Sequence, residues 1–463
     1  MKEKILSLFQ RVCSEKAESI NELAAHGSNR KYFRIKTKNA SFIAVYNEDR
    51  KENEAFLSYA DQMRERGIKV PKIYAEDLEN NVYIQEDLGD ETLFSFVKEH
   101  SWEENFPIYI KVLDCLAEIQ MMENFDYTAA YPRKEFDRQS IQWDLNYFKY
   151  YFVKLAEIKF DEQKLEEDFQ NLTSYLLSAE RNYFLYRDFQ SRNIMIKGDE
   201  VYFIDFQGGR KGALHYDLAS LLFDGKVKMP HKLRDELLDY YSEKMSLRLG
   251  SDKVKFKSMF YAYACVRIMQ AMGAYGYRGY FERKESFLQS IPQAIENLKY
   301  LMQKTVFPIE LKELHSVFTQ IVNSKKLQSL SKNAPLTVTI KSFSYKKGYP
   351  MDVSGNGGGF IFDCRALPNP GRYEKYKALT GKDSEVIEFL ESKAEVKYFL
   401  DNVTKIVKQS IDNYLQRGFT HLFVAFGCTG GRHRSVFLAE SLANELMQCI
   451  DLKIIINHVE QNL

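Results

Sequence analysis

The chain has 463 residues, 45% hydrophobic and 28% charged, which exceeds one ordinary core and predicts two or three domains. A formal net charge of +1 offers no global field for nucleic acid, and no stretch approaches the roughly 20 apolar residues that cross a bilayer. Six cysteines without a CxxC pair suggest neither a zinc site nor a disulfide framework, and Met1–Gln10 is amphipathic rather than continuously apolar, so free thiols in the cytoplasm are expected.

Ile5, Leu6, Phe9 and Val12 recur at helical spacing and predict an opening helix. Two β-rich runs, 31–36 and 41–46, meet at Lys38-Asn39-Ala40, a hairpin turn. A polar helix over 51–66 ends at Gly67, ahead of Val70-Pro71. Residues 82–85 read as a short strand, left through the turn Asp87-Leu88-Gly89-Asp90. From about Glu91 long amphipathic helices with dense aromatics take over and run to about Thr305. The pattern predicts a β-rich lobe over 1–90 and a helical lobe over 91–322.

The helices are interrupted by Tyr186-Arg187-Asp188-Phe189-Gln190-Ser191-Arg192-Asn193 and, shortly after, Ile204-Asp205-Phe206-Gln207. Asp188 can accept a hydroxyl proton, while the Asn193 amide oxygen and the Asp205 carboxylate are hard ligands for Mg²⁺ on nucleotide phosphates. The plain structural alternative makes both aspartates turn formers. It does not account for the strand-like apolar residues that bracket each of them. The spacing predicts an ATP- and Mg²⁺-dependent phosphotransferase.

A polar, basic segment over 323–335, closed by Pro335, reads as a linker. Beyond it a strand begins at Leu336, a second at Phe360 follows the glycine-rich stretch 355–359, and helices are expected over 385–390 and 396–415. The apolar strand 422–426 then leads through Gly427-Cys428-Thr429-Gly430-Gly431-Arg432-His433-Arg434-Ser435 into a helix from Val436. Alternating strands and helices over 336–463 predict a smaller α/β domain with a mainly parallel sheet. The glycine loop presents backbone N–H groups and a helix start to an anion, with Arg432, His433, Arg434, Thr429 and Ser435 around it. Asp363 and Arg365, at the end of their strand, point toward the same crevice. The Cys-x5-Arg spacing from Cys428 to Arg434 also fits a thiol nucleophile, but His433 follows the loop and no acid is apparent.

The motifs in the first 305 residues resemble the aminoglycoside phosphotransferase/choline kinase branch of the protein-kinase-like fold. The resemblance implies a bilobal α+β kinase domain with Asp188 as base, Asn193 and Asp205 as metal ligands, and a structural Asp217. It implies that ATP meets a phosphate-covering turn at 27–34, with Ser28, Arg30 and Arg34, and a hinge at 83–90, with Glu86 and Leu88. Two departures stand out. Tyr46 follows Ile43-Ala44-Val45 where the family carries a lysine or arginine, and Tyr186 replaces a usual histidine. Glu54, in the place of that lysine's helix partner, is then expected as a surface carboxylate, and either another cation such as Arg34 or Lys51 covers the phosphates or affinity for ATP is weak. A non-catalytic pseudokinase is the rival reading.

The nucleotide loop, the catalytic loop and 266–275 look most like anomeric kinases of N-acetylmuramate or N-acetylglucosamine. That likeness implies a small-molecule sugar acceptor and a place in cell-wall amino-sugar salvage, or peptidoglycan recycling. Arg267 is a candidate for a substrate carboxylate or for an ion pair inside the lobe. Trp143, Asp144 and Asn146 are candidates for a sugar site, with a buried aromatic the plainer reading of Trp143.

From about Pro335 the chain resembles the C-terminal domain of the RapZ family, on Ser342–Gly348, Phe362–Pro370, Leu379–Asp383 and Gly427–Ser435. This resemblance implies sensing of a phosphorylated amino sugar, such as glucosamine 6-phosphate, by Asp363, Arg365, Cys428, Thr429, Gly430, Gly431, Arg432, His433 and Arg434. RNA binding would be expected to need a basic surface, and 457–463 carries none. An RNA-binding adaptor and a homo-oligomer formed through this domain are left open, and no membrane partner is expected.

Overall fold

The computed structural model describes residues 1–23, 30–282, 284–305, 307–328, 330, 336–352, 359–417, 419–447 and 452–461. The expected turn residues 27–29 with Ser28, the linker residues 331–335 and the glycine stretch 355–358 lie outside them. Two compact units are present: residues 1–274 with 293–324, and residues 275–292 with 325–463.

The first unit opens with α1 (Lys2–Val12), whose Ile5, Leu8 and Phe9 are buried. Strands β1 (Ser19–Glu22), β2 (Lys31–Lys36), β3 (Ser41–Tyr46), β4 (Ile73–Asp77) and β5 (Val82–Glu86) form an antiparallel sheet in the order β1-β2-β3-β5-β4. The turn at 38–40 closes as expected, with Thr37 Oγ1 accepting from the backbone of Asn39 and Ala40. Between β3 and β4 lies α2 (Arg50–Glu65), started by Asp49, whose carboxylate accepts from Lys51 N and Glu52 N. It stops where expected. Gly67 is left-handed at φ +77°, Gly67 N donates to Arg64 O and Ile68 N to Met63 O, a closed cap.

The helical lobe comprises α3 (Leu93–Glu99), α4 (Trp102–Gln120), α5 (Arg138–Phe148), α6 (Glu162–Leu176), α7 (His215–Leu222), α8 (His231–Leu249) and α9 (Lys253–Gly276), with α11 (Ile291–Lys304) and α12 (Lys312–Asn323) later in the chain, while α10 (Glu285–Leu288) and α13 (Lys325–Gln328) fall in the second unit. Four short strands carry the catalytic segment: β6 (Tyr183–Leu185) pairs with β9 (Arg210–Gly212), and β7 (Ile194–Lys197) with β8 (Glu200–Phe203). Among the described residues no helix is long and apolar enough to cross a membrane.

In the second unit β10 (Leu336–Ser344), β11 (Gly359–Asp363), β12 (His421–Cys428) and β13 (Leu452–His458) form a sheet in the order β11-β12-β10-β13, parallel at every pairing. Helices α14 (Ser384–Glu391), α15 (Ala394–Arg417) and α16 (Arg434–Leu446) supply its buried apolar partners, among them Val386, Val403, Val407, Leu438 and Leu442. The smaller domain is α/β with a parallel sheet, as its alternating pattern predicts.

Candidate functional site

Asp188, Asn193 and Asp205 come together. Asn193, only 6% exposed, ends a single turn of 3-10 helix after the loop. Its Nδ2 donates to Asp188 O at 2.8 Å and to Asp205 Oδ2 at 3.3 Å. Gln207 Nε2 donates to Asp205 Oδ1 at 2.7 Å. Ile204 N donates to Asn193 O, so the two halves of the motif are also joined through the main chain. The Asp188 carboxylate makes no hydrogen bond or ion pair among the described residues. The Asn193 amide oxygen and the Asp205 carboxylate are hard donors of the kind that suits a divalent cation.

The backbone here is held in costly conformations. Arg187 has φ +82° and Asp205 φ +68°, left-handed values that side chains other than glycine seldom adopt. Buried partners hold both. Asp217 accepts from Tyr186 N at 2.7 Å and Arg187 N at 2.9 Å, which is the structural duty expected of it. Burial pushes its carboxyl up to about 7, against the pull of those two N–H groups and the Gln120 amide. The Arg187 guanidinium forks onto Asp144 at 2.7 and 2.6 Å and donates to Tyr216 OH at 2.6 Å. Tyr186, fully buried, donates to Ile204 O at 2.6 Å, so in place of the usual histidine it packs beneath the loop. Ser191 N and Oγ both donate to the buried Asp224, an anchor the sequence reading missed.

The expected ATP contacts divide. Arg34 donates to Gly89 O and is paired with Asp87 and Asp90, both at 2.8 Å, so it braces the hinge and is not a substitute phosphate cation. Glu86 N donates to Lys72 O and its carboxylate pairs with Lys197 at 2.8 Å, so neither group is offered to a base. Leu88 is buried beside this hinge. Lys51 lies over the Tyr131 ring. Arg30 is buried and pairs with Glu52 at 3.1 Å, whereas Glu54 is a surface carboxylate paired with Arg50, as expected. The Asp49 cap places Glu52 in the first helical turn; that Asp-x-x-Glu spacing was the available signal.

The buried-aromatic reading of Trp143 and two acceptor-site expectations are corrected. Trp143 is 46% exposed and meets Arg133 rather than a core, because the apolar face of α5 is carried by Ile141, Leu145 and Phe148. Asp144 is committed to Arg187. Arg267 is buried and donates to Ser220 Oγ and Gln270 Oε1, with no ion pair of its own among the described residues.

In the second unit the loop from Gly427 to Ser435 joins β12 to α16, as expected. The three cations expected around an anion also meet main-chain carbonyls. Arg432 donates to Ala378 O, the His433 ring meets Tyr376 O, and Arg434 donates to Arg365 O and Leu367 O at 2.8 and 2.9 Å. They tie 365–378 to the loop. The loop amides converge instead on sulfur: Gly431 N donates to Cys428 Sγ at 3.2 Å, and Ser435 Oγ lies 3.2 Å from it. Burial alone would push this thiol up, but the Ser435 hydroxyl and the amides of Ser435, Gly430 and Arg432 bring it below the usual range. Gly431 is left-handed, and a Cβ there would meet Glu460 Cγ at 2.4 Å. Thr429 and Gly430 stay exposed at the rim. Asp363 forms a forked pair with Arg365, whose guanidinium covers the Tyr345 ring at 4.1 Å.

Residues 19–251 match the phosphotransferase enzyme family. The chain belongs to it. Residues 336–462 match the RapZ C-terminal domain, so one chain joins a phosphotransferase domain to that module. A nucleotide-binding protein of Acidobacterium capsulatum is 38% identical over 133 residues, 29% of this chain and 39% of that protein. One from Staphylococcus carnosus is 30% identical over 188 residues, 41% of this chain and 57% of its own length. The chain spans 34% to 57% of the length of the curated relatives it matches. Among solved structures, choline kinase from Cryptosporidium parvum Iowa II gives a TM-score of 0.47 at 13% identity, covering 69% of this chain and 100% of that one. The ADP-bound aminoglycoside phosphotransferase APH(2'')-Ib gives 0.45 at 13% identity, covering 65% and 96%.

Proposed function

We propose that this phosphotransferase is a cytoplasmic kinase that moves the γ-phosphoryl group of ATP to a sugar hydroxyl. The acceptor is the anomeric hydroxyl of N-acetylmuramate or N-acetylglucosamine, in salvage of cell-wall amino sugars. One observation carries the reading: the Asn193 amide joins the Asp188 main chain to the Asp205 carboxylate, while among the described residues nothing bonds the Asp188 carboxylate. Asp188 orients the acceptor hydroxyl and takes its proton. Asn193 Oδ1 and Asp205 would hold Mg²⁺, which would supply positive charge to offset that of the phosphate oxygens. Asp217 and Asp144 keep the loop in its strained conformation, so the base is in place before substrate arrives. The C-terminal domain binds a phosphorylated amino sugar at the rim of the Cys428 loop. Purified protein should consume ATP with one of the two sugars, and Asp188→Ala should abolish turnover. Silence across a broad amino-sugar panel removes the proposal.

Tyr46, where a strand lysine is expected, favours a second reading: a non-catalytic adaptor that binds a sugar phosphate, with RNA as a further ligand. Stabilisation in thermal shift by glucosamine 6-phosphate but not by Mg²⁺-ATP would select it.

A further inference from the structure

Kinase folds hold the triphosphate with a strand cation braced by a helix glutamate. The side chain at 46 stands on the wrong side of the sheet for that duty. In the β2–β3 register Phe33 faces Ala44 and Lys31 faces Tyr46, and residues 42, 44 and 46 pack with Ile5, Leu8 and Phe9 of α1. The opposite face presents Ile43 and Val45 on β3, opposite Arg34 and Tyr32 on β2, because side chains alternate with period two, and Asn47 and Arg30 adjoin these strand ends. Val45 pairs with Tyr83, whose ring stacks on Phe56 of α2 at 5.2 Å, so this is the face that α2 covers. No cation stands at 43, 45 or 47. Arg30, one residue before β2, supplies one. It is 2% exposed, lies 5.9 Å over the Phe56 ring, and donates to Glu52 Oε2 at 3.1 Å. Asn47 Nδ2 donates to the same oxygen at 3.1 Å, and Asn47 Oδ1 accepts from Asp49 N, so the carboxylate is held from two sides.

We propose that Arg30 is the phosphate-binding cation of this kinase domain and that Glu52 and Asn47 position it, the pair having moved from the third strand to the second. This rests on the kinase reading above. Burial opposes the charge of Arg30, yet Tyr83, Tyr32, Asp205 and Glu52 hold it above the ordinary guanidinium range. Arg30 covers the Phe56 ring, which stacks on Phe206 directly after Asp205, so a nucleoside di- or triphosphate reaching from Asp205 toward Arg30 would meet a planar guanidinium fork. The chemistry selects polyphosphate, not the base. Tyr46 then has no bearing on activity.

Calorimetric titration of the full chain with adenosine, ADP and ATP in Mg²⁺ tests this. Arg30→Ala should weaken ADP and ATP by about tenfold or more, with adenosine moved by less than about twofold. Arg30→Lys should keep part of the affinity, Glu52→Gln should fall between, and Tyr46→Lys should match the natural protein. An Arg30→Ala protein of unchanged melting temperature that binds ADP normally overturns the proposal. Equal loss of adenosine and ADP, in Arg30→Ala and in Arg30→Lys, overturns it too, since that marks a purely structural residue. A natural protein that binds neither ADP nor ATP sinks the kinase reading itself, whereas turnover unaffected by Arg30→Ala sinks only the role of Arg30.

Discussion

The ring of Phe206 lies flat on that of Phe56, with centroids 4.6 Å apart and planes 8° from parallel. Phe206 follows Asp205 directly, and Phe56 sits one turn after Glu52 on α2, so the stack couples the metal-ligand candidate to the helix that braces Arg30. Both rings are buried. Phe56→Ala should therefore cost about 3–5 kcal/mol of stability in chemical denaturation. ATP turnover should fall further than the folded fraction does. Turnover that simply tracks the folded fraction would show that the stack is packing alone.

The Arg187–Asp144 pair predicts a different loss. Both groups are largely buried, so removing one leaves the other uncompensated, and Asp144→Ala should cost about 3–5 kcal/mol. With the φ of Arg187 at +82° no longer braced, the loop should relax and kcat should drop. Denaturation midpoints and initial rates of Asp144→Ala and Asp144→Asn check this; the asparagine variant should retain more of both.

His215 makes stability depend on pH. Its ring lies 4.4 Å from that of Phe256, and burial lowers its pKa from 6.5 to about 3. Above pH 6.5 the imidazole is neutral in both states and has no effect. As pH falls below 6.5 the unfolded chain takes up a proton that the folded chain refuses until about 3. Stability is lost across that window at up to about 1.4 kcal/mol per pH unit. Asp217, raised from 3.8 to about 7, acts in the opposite sense between those values, so the contribution is read as a difference. Denaturation curves of the natural protein and His215→Phe should diverge steadily below pH 6.5. Parallel curves would refute the assignment.

The Cys428 thiol should ionise more readily than Cys115, Cys265 or Cys364, all of which burial pushes up. Ser435→Ala removes the hydroxyl 3.2 Å from the sulfur and should move that ionisation to higher pH. Thiolate absorbance, taken as the difference from Cys428→Ser, measures it. No change in Ser435→Ala would leave the loop amides as the whole cause.

Much of the framework was legible because it is written over short spans. The helix stop at Gly67, the hairpin at 38–40, the Asp188–Asn193 loop and the parallel C-terminal sheet each follow from a few neighbouring residues. Partnerships across the fold were not legible. Arg34 is claimed by Asp87 and Asp90, more than fifty positions away, and Arg432, His433 and Arg434 by main-chain carbonyls at 365–378. Nothing local marks such partners.

Reading residues in order was enough to identify a phosphotransferase segment joined to a RapZ-type module, since the spacing of Asp188, Asn193 and Asp205 and of the Gly427–Ser435 loop is a property of consecutive residues. Which cation faces α2 was settled by folding, because strand pairing alternates side chains between two faces and sent Tyr46 to one and Arg30 to the other.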